Sequence, residues 1–300
     1  MNLKEEIARL KKERNAIILA HYYVNDEIQE IADFVGDSYY LSKVGMESDK
    51  DVIVFCGVRF MAEGAKILSP EKTVLLSNEK ALCAMAQMAE VKAVEELKLK
   101  YPDAKVVCYV NSTTELKAIS DVCCTSASAL NIINNMEDKN IIFVPDKNLG
   151  SYIQEMVPEK NIILWNGCCP IHDEITVNRI EKALDTFGRD LCVLVHPECT
   201  KEVRALADYI GSTSGIIKYA SESSKKKFLV VTEDGVLYEM RKKNPNKEFY
   251  SLDMCCDSMK LTTLDDVYQC LLNNRGQVTL KEDLRLKAYR ALENMHKLGE

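Results

Sequence analysis

The chain has 300 residues, 47% of them hydrophobic, which is ample for buried cores and too many for one small domain. A formal net charge of −7, with 46 acidic against 39 basic residues, excludes nucleic acid as the main partner. No run nears the roughly 18 apolar residues of a membrane span, so no membrane partner is expected.

In chain order, residues 1–14 are charged and amphipathic through Leu3, Ile7 and Leu10, which predicts a surface helix rather than a signal peptide. Twelve cysteines in a chain without a secretory core predict a reducing, cytoplasmic location, with metal binding favoured over disulfides. Apolar strand-like runs follow at residues 16–20, 34–35, 52–55 and 73–76. A second set occupies 106–110, 122–124, 141–144 and 162–165, and a third 192–195, 209–210, 228–231 and 248–252. Near-continuous apolar strands separated by helical stretches imply parallel sheets buried on both faces. Residues 264–273 and 281–298 are helical in character and predict a C-terminal packing element.

These sets are three copies of one text. Asp33, Asp121 and Asp208 stand 88 and 87 residues apart, and Cys83, Cys169 and Cys256 stand 86 and 87 apart. Around the first and third Asp, Ile28, Ile31, Ala32, Val35 and Val203, Leu206, Ala207, Ile210 form the i, i+3, i+4, i+7 stripe of an amphipathic helix. A period near 87 is too long for a solenoid and predicts three homologous αβα domains, at 1–84, 85–170 and 171–300. Twelve residues before each Asp are His21, Tyr109 and His196; ten before are Tyr23, Asn111 and Glu198; five after are Ser38, Ser126 and Thr213. All fall just past a strand, where open parallel sheets bind ligands. Three domains packed about a pseudo-threefold axis would turn these positions into one central site.

Single cysteines far apart in sequence suit an object larger than a structural zinc, which prefers closely spaced pairs. Three thiolates would leave one iron of a four-iron cluster open as a Lewis acid. Spacing alone does not choose within the doublets Cys168–Cys169 and Cys255–Cys256. Cys56, Cys108 and Cys192 lie inside strands and, with Cys123, Cys124 and Cys270, read as small core hydrophobes. His21 and His196 occupy matching repeat positions and are candidate proton carriers. His172 and His296 have no repeat partner and read as hydrogen-bonded structural residues. Glu198 is a candidate base, and Tyr23 and Tyr109 candidate donors to oxyanions. Ser38, Ser126 and Thr213 either cap the helices that follow or bind anions at their N-termini.

At these residues the chain resembles the quinolinate synthase family, iron–sulfur enzymes of bacterial and archaeal NAD biosynthesis. The matching segments run from Leu19-Ala20-His21-Tyr22-Tyr23 and Ala32-Asp33-Phe34-Val35-Gly36-Asp37-Ser38 through Tyr109-Val110-Asn111-Ser112 to Val195-His196-Pro197-Glu198-Cys199. Gly167-Cys168-Cys169-Pro170 and Cys256-Asp257-Ser258-Met259-Lys260 match the family's cluster motifs. The resemblance implies one 4Fe-4S cluster on Cys83, Cys169 and Cys256. It implies acid/base work by Tyr23, His21, His196 and Glu198. Substrate contacts would come from His21, Ser38, Tyr109, Val110, Asn111, Ser126, His196, Pro197, Glu198 and Thr213. The implied reaction condenses iminoaspartate (iminosuccinate) with dihydroxyacetone phosphate to quinolinate, with an L-aspartate oxidase or dehydrogenase supplying iminoaspartate. The competing readings are a 4Fe-4S hydro-lyase of a small hydroxy acid and a non-enzymatic iron–sulfur sensor, the latter disfavoured by the repeated polar positions. The chain departs from the family at Cys168, where His is common, and at Tyr22, where Asn is common.

Overall fold

The computed structural model describes residues 2–299. Met1 and Glu300, the outer limits of the first and third predicted domains, lie outside the described residues. The structure contains three parallel sheets of four strands with flanking helices, the predicted α/β fold of three repeated αβα units. The first holds β1 (Ala16–His21), β2 (Phe34–Gly36), β3 (Val52–Cys56) and β4 (Thr73–Leu76) in the order β2-β1-β3-β4. The second repeats that order with β5 (Lys105–Tyr109), β6 (Val122–Cys124), β7 (Asn140–Val144) and β8 (Asn161–Leu164). The third repeats it with β9 (Cys192–Val195), β10 (Tyr209–Ile210), β11 (Lys227–Val231) and β12 (Glu248–Ser251). Every residue of β1, β3 and β9 is buried, so these strands carry apolar side chains on both faces. The first strand of each sheet pairs outward with the second, and the chain then crosses back to pair on its other side. The carboxyl ends of the two central strands therefore flank a switch point, the place where such sheets leave a crevice.

The two apolar stripes do not continue as helices. The helices end at Ile31 and Arg204, and Val35 and Ile210 lie on β2 and β10. The cause is the repeated aspartate. The Asp33 N–H donates to Ile18 O at 2.9 Å, and its carboxylate accepts from Ile18 N at 2.8 Å. Asp121 makes the same pair of bonds to Val106 at 3.0 and 2.8 Å, and Asp208 to Val193 at 2.9 and 2.7 Å. Each aspartate satisfies both backbone polar groups of one residue on the first strand and draws the chain out of helix into the neighbouring strand.

A second repeat underlies the next helix. Lys72 donates to Gly45 O and Ser48 O, Lys160 to Met136 O and Asp138 O, and Lys247 to Ala220 O and Ser223 O. These lysines, 88 and 87 residues apart, satisfy the orphan carbonyls ending the helices Ser38–Glu47, Ala129–Asn135 and Thr213–Glu222. The opposite ends of those helices face the centre of the molecule.

The helix Leu3–Glu13 is the predicted amphipathic one and buries Ile7 and Leu10 with Val267, Cys270 and Leu271 of the helix Leu264–Asn273. The helix Glu282–Leu298 packs on Arg59–Leu68, Thr114–Ile119 and β6, burying Ala288, Ala291, Leu292 and Met295. The C-terminal helices thus follow the third sheet in sequence but pack beside the first and second. Cys56, Cys108, Cys123, Cys124, Cys192 and Cys270 are buried, as their apolar contexts predict.

Candidate functional site

Where the carboxyl edges of the three sheets meet, the structure encloses a cavity of about 270 Å³. Its lining includes His21, Tyr23, Ser38, Tyr109, Asn111, Ser126, His196, Glu198 and Thr213, together with Cys83, Cys169 and Cys256. Val110 and Pro197 are buried but do not line it. Val110 instead turns its backbone N–H to Cys124 O at 2.9 Å.

The residues ending the first strands share one local device. His21 Nδ1 accepts the N–H of Tyr23 at 3.2 Å, and His196 Nδ1 accepts that of Glu198 at 3.3 Å. With Nδ1 as acceptor, the neutral ring carries its hydrogen on Nε2. Burial keeps both rings neutral, lowering each pKa to about 3. At neutral pH they are N–H donors that can polarise an oxygen without holding a charge.

A hydrogen-bonded chain crosses the site. The Tyr23 hydroxyl lies 2.8 Å from both Thr213 Oγ1 and Thr232 Oγ1. Thr232 Oγ1 lies 3.0 Å from His172 Nε2, and His172 Nδ1 lies 3.0 Å from Glu198 Oε2. The other Glu198 oxygen accepts from the Tyr109 hydroxyl at 2.5 Å. Burial alone pushes the Glu198 carboxyl up. The His196 and His172 imidazoles, whenever they carry a proton, together with hydrogen bonds from His172 and Tyr109, outweigh it and hold the carboxyl below its ordinary value. Burial, followed by the Glu198 charge, pushes both tyrosines well above their ordinary value. Glu198 is therefore an anion and the tyrosines are protonated donors at neutral pH.

The three hydroxyls one strand further on are not the caps of their helices. Asp37 caps the helix Ser38–Glu47, its Oδ1 accepting Tyr40 N at 2.9 Å. Ser212 caps Thr213–Glu222 by accepting Gly215 N at 3.2 Å. In the second unit the local bonds are made by Thr125 and Ser128, each accepting the other's N–H. Ser38, Ser126 and Thr213 are left on the cavity wall.

The cysteines share a third device. Each precedes a short helical turn: Met85–Gln87, Pro170–Asp173 and Asp257–Lys260. Backbone N–H groups within those turns, from Ala86, His172 and Met259, donate to the Cys83, Cys169 and Cys256 carbonyl oxygens at 3.1, 3.2 and 2.9 Å and fold each turn against its cysteine. Burial still dominates and raises all three thiols, Cys83 to about 12. Three soft donors, one from each unit and all on the wall of one cavity, fit a thiolate-ligated cluster, whose positive charge would offset the cost of burying them as anions. Their doublet neighbours face elsewhere. Cys255 is exposed, and Cys168 bonds its N–H to Met88 sulfur at 3.4 Å, outside the cavity wall.

Sequence reasoning missed His172, Thr232 and Glu233. His172 is a structural residue in that reading, whereas here it links Thr232 to Glu198 and touches Cys169 Sγ at 3.2 Å. Its place three residues after Cys169, one helical turn on, was the available clue. Glu233 lines the cavity and accepts the N–H of Cys256 at 3.2 Å while pairing with Lys260 at 2.9 Å. His296 agrees with its structural reading, stacking on Tyr39.

The family described as "Quinolinate synthetase A protein" matches residues 5–297. The chain is 56% identical over 301 residues to a quinolinate synthase of Clostridium perfringens, covering all of both chains. It is 56% identical to one of Clostridium novyi over 99% of each chain. It is 52% identical to one of Caldicellulosiruptor bescii over 99% of this chain and 98% of that one.

Proposed function

The chain belongs to the Quinolinate synthetase A family, and from that membership we propose that it condenses iminoaspartate with dihydroxyacetone phosphate, releasing phosphate and water to form quinolinate for NAD biosynthesis. The observation that carries the chemistry is the unbroken chain Tyr23–Thr232–His172–Glu198–Tyr109 beside three converging cysteines. With Nδ1–H of His172 bonded to the Glu198 carboxylate, Nε2 is free to accept the Thr232 proton as Thr232 accepts that of Tyr23. A proton can thus leave or return to the Tyr23 hydroxyl while Glu198 stabilises the imidazolium that forms. His21 and His196, both neutral, donate Nε2–H to developing oxyanions. Ser38, Asn111, Ser126 and Thr213 donate to carboxylate and phosphate oxygens, and the N-termini of Ser38–Glu47 and Thr213–Glu222 add local positive potential in an acidic protein. Val110 and Pro197 belong to the same proposal through their backbone, since neither side chain lines the cavity. A 4Fe-4S cluster on Cys83, Cys169 and Cys256 would supply a Lewis-acidic iron with an open position for a departing hydroxyl.

The division into domains at 1–84, 85–170 and 171–300 is part of the proposal. So are cytoplasmic placement and supply of iminoaspartate by an L-aspartate oxidase or dehydrogenase. No helix among the described residues is long and apolar enough to cross a membrane. Anaerobically reconstituted protein should form quinolinate and phosphate only when given both substrates. Turnover of a hydroxy acid alone, with no use of dihydroxyacetone phosphate, would favour the hydro-lyase.

The hydroxyl ring gives a test of binding. Because Asp37 and Ser212 make the caps, Ser38→Ala and Thr213→Ala should spare the roughly 1 kcal/mol that loss of a cap costs. We expect Ser38→Ala, Ser126→Ala and Thr213→Ala to raise KM or lower kcat/KM at least tenfold, with near-unchanged thermal midpoints in the first two and a loss of about 1 kcal/mol in the third, whose hydroxyl also bonds Tyr23. Wild-type kinetics in all three would remove them from the binding site.

A further inference from the structure

The cavity holds a compact donor set, Cys169, His172 and Glu198, of which the proposed reaction uses the first for the cluster and the other two for protons. His172 Nδ1 lies 3.2 Å from Cys169 Sγ and 3.0 Å from Glu198 Oε2, and ligand atoms of all three lie within 4.8 Å of one another. Donors around a four-coordinate zinc, bonded at about 2.0–2.3 Å, stand roughly 3–4 Å apart. One thiolate, one imidazole and one carboxylate is a donor set of the zinc type. The outer partners are also in place. Thr232 Oγ1, 3.0 Å from Nε2, can accept the Nε2–H and leave the Nδ1 lone pair for an ion. Tyr109 occupies Glu198 Oε1 at 2.5 Å, so Oε2, paired with His172 Nδ1 at 3.0 Å, becomes available to an ion once the His172 hydrogen moves to Nε2. A divalent ion would be neutralised by the two anions, which matters where His172 and Glu198 are only 2% and 3% exposed.

We propose that Cys169, His172 and Glu198 form a second metal site, for one divalent ion of the zinc class, filled when Cys169 is not engaged by the cluster. The inference goes beyond the proposed reaction and shares only Cys169 with the proposed cluster ligands. Binding releases the Cys169 thiol proton and moves the His172 hydrogen from Nδ1 to Nε2. The ion thereby withdraws His172 and Glu198 from the proton chain and denies the cluster one ligand, so a zinc-loaded chain is both cluster-free and inactive.

The test uses cluster-free full-length protein titrated with Co²⁺ and then Zn²⁺, with no turnover measured, so its outcome is separate from that of the proposed reaction. We expect one Co²⁺ per chain, a thiolate-to-cobalt charge-transfer band, and displacement by one equivalent of Zn²⁺. The band should persist in the Cys83→Ala/Cys256→Ala double variant and vanish in Cys169→Ala. Affinity should fall at least tenfold in His172→Gln and in Glu198→Gln. Zinc-loaded wild type should refuse cluster reconstitution until a chelator is added. No stoichiometric binding, a band that survives Cys169→Ala, or one that requires Cys83 and Cys256 would overturn the proposal. The double variant decides the matter even if His172→Gln fails to fold. Equal cluster uptake with and without zinc would overturn the exclusion.

Discussion

Cys83→Ala, Cys169→Ala and Cys256→Ala proteins, purified and reconstituted without oxygen, are expected to lack the cluster and to make no detectable quinolinate. Each substitution removes one of three thiols on the wall of one cavity, and the described residues place no further cysteine there to replace it. Cys168→Ala and Cys255→Ala should instead keep full cluster content. The Cys168 amide is tied to Met88 and its side chain does not line the cavity, and Cys255 is exposed. Iron and sulfide analysis with visible absorbance on the five variants distinguishes the two groups. Full retention in Cys169→Ala would transfer the ligand role to Cys168 and remove the shared residue from the second metal site.

What could be read in the sequence was what the three units repeat. The strands, the cysteine per unit and the ring of His21, Tyr109 and His196 recur at near-constant spacing because each solves the same local problem three times. Lys72, Lys160 and Lys247 recur as regularly, yet a lysine in a charged surface context gives no sign that it reaches back to the end of a helix. The apolar stripes mislead for a related reason. Val35 and Ile210 keep helical spacing, but Asp33 and Asp208 bond to the first strand and convert the segment to β. His172 and Thr232 have no repeat partner of their type, and their pairing depends on how the turn after Cys169 closes on the end of β11, 60 residues away. An amphipathic C-terminal helix shows a buried face without showing which unit will cover it, and here the first and second do.

Tyr23→Phe is expected to leave the fold and the cluster intact while lowering turnover by about two to four orders of magnitude, the scale of a lost general acid–base group. Only one oxygen is removed. The hydroxyls of Thr213 and Thr232 lose one partner each, while Thr232 retains His172 at 3.0 Å, so the stability cost should be about 1 kcal/mol. A merely structural Tyr23 would show that cost and nothing else. The chain of hydrogen bonds makes a sharper demand. Thr232→Val cuts the path between the Tyr23 hydroxyl and His172 without touching either ring, and should itself reduce turnover well below wild type. If Tyr23 acts through Thr232 and His172, Tyr23→Phe/Thr232→Val should be no slower than Tyr23→Phe alone, because groups acting as a unit are lost only once. Independent roles would multiply the two losses. Single-turnover rates on cluster-replete protein separate these outcomes. Multiplied losses would dissolve the relay while leaving Tyr23 as a catalyst, and near-normal turnover in Tyr23→Phe would remove it from the chemistry altogether.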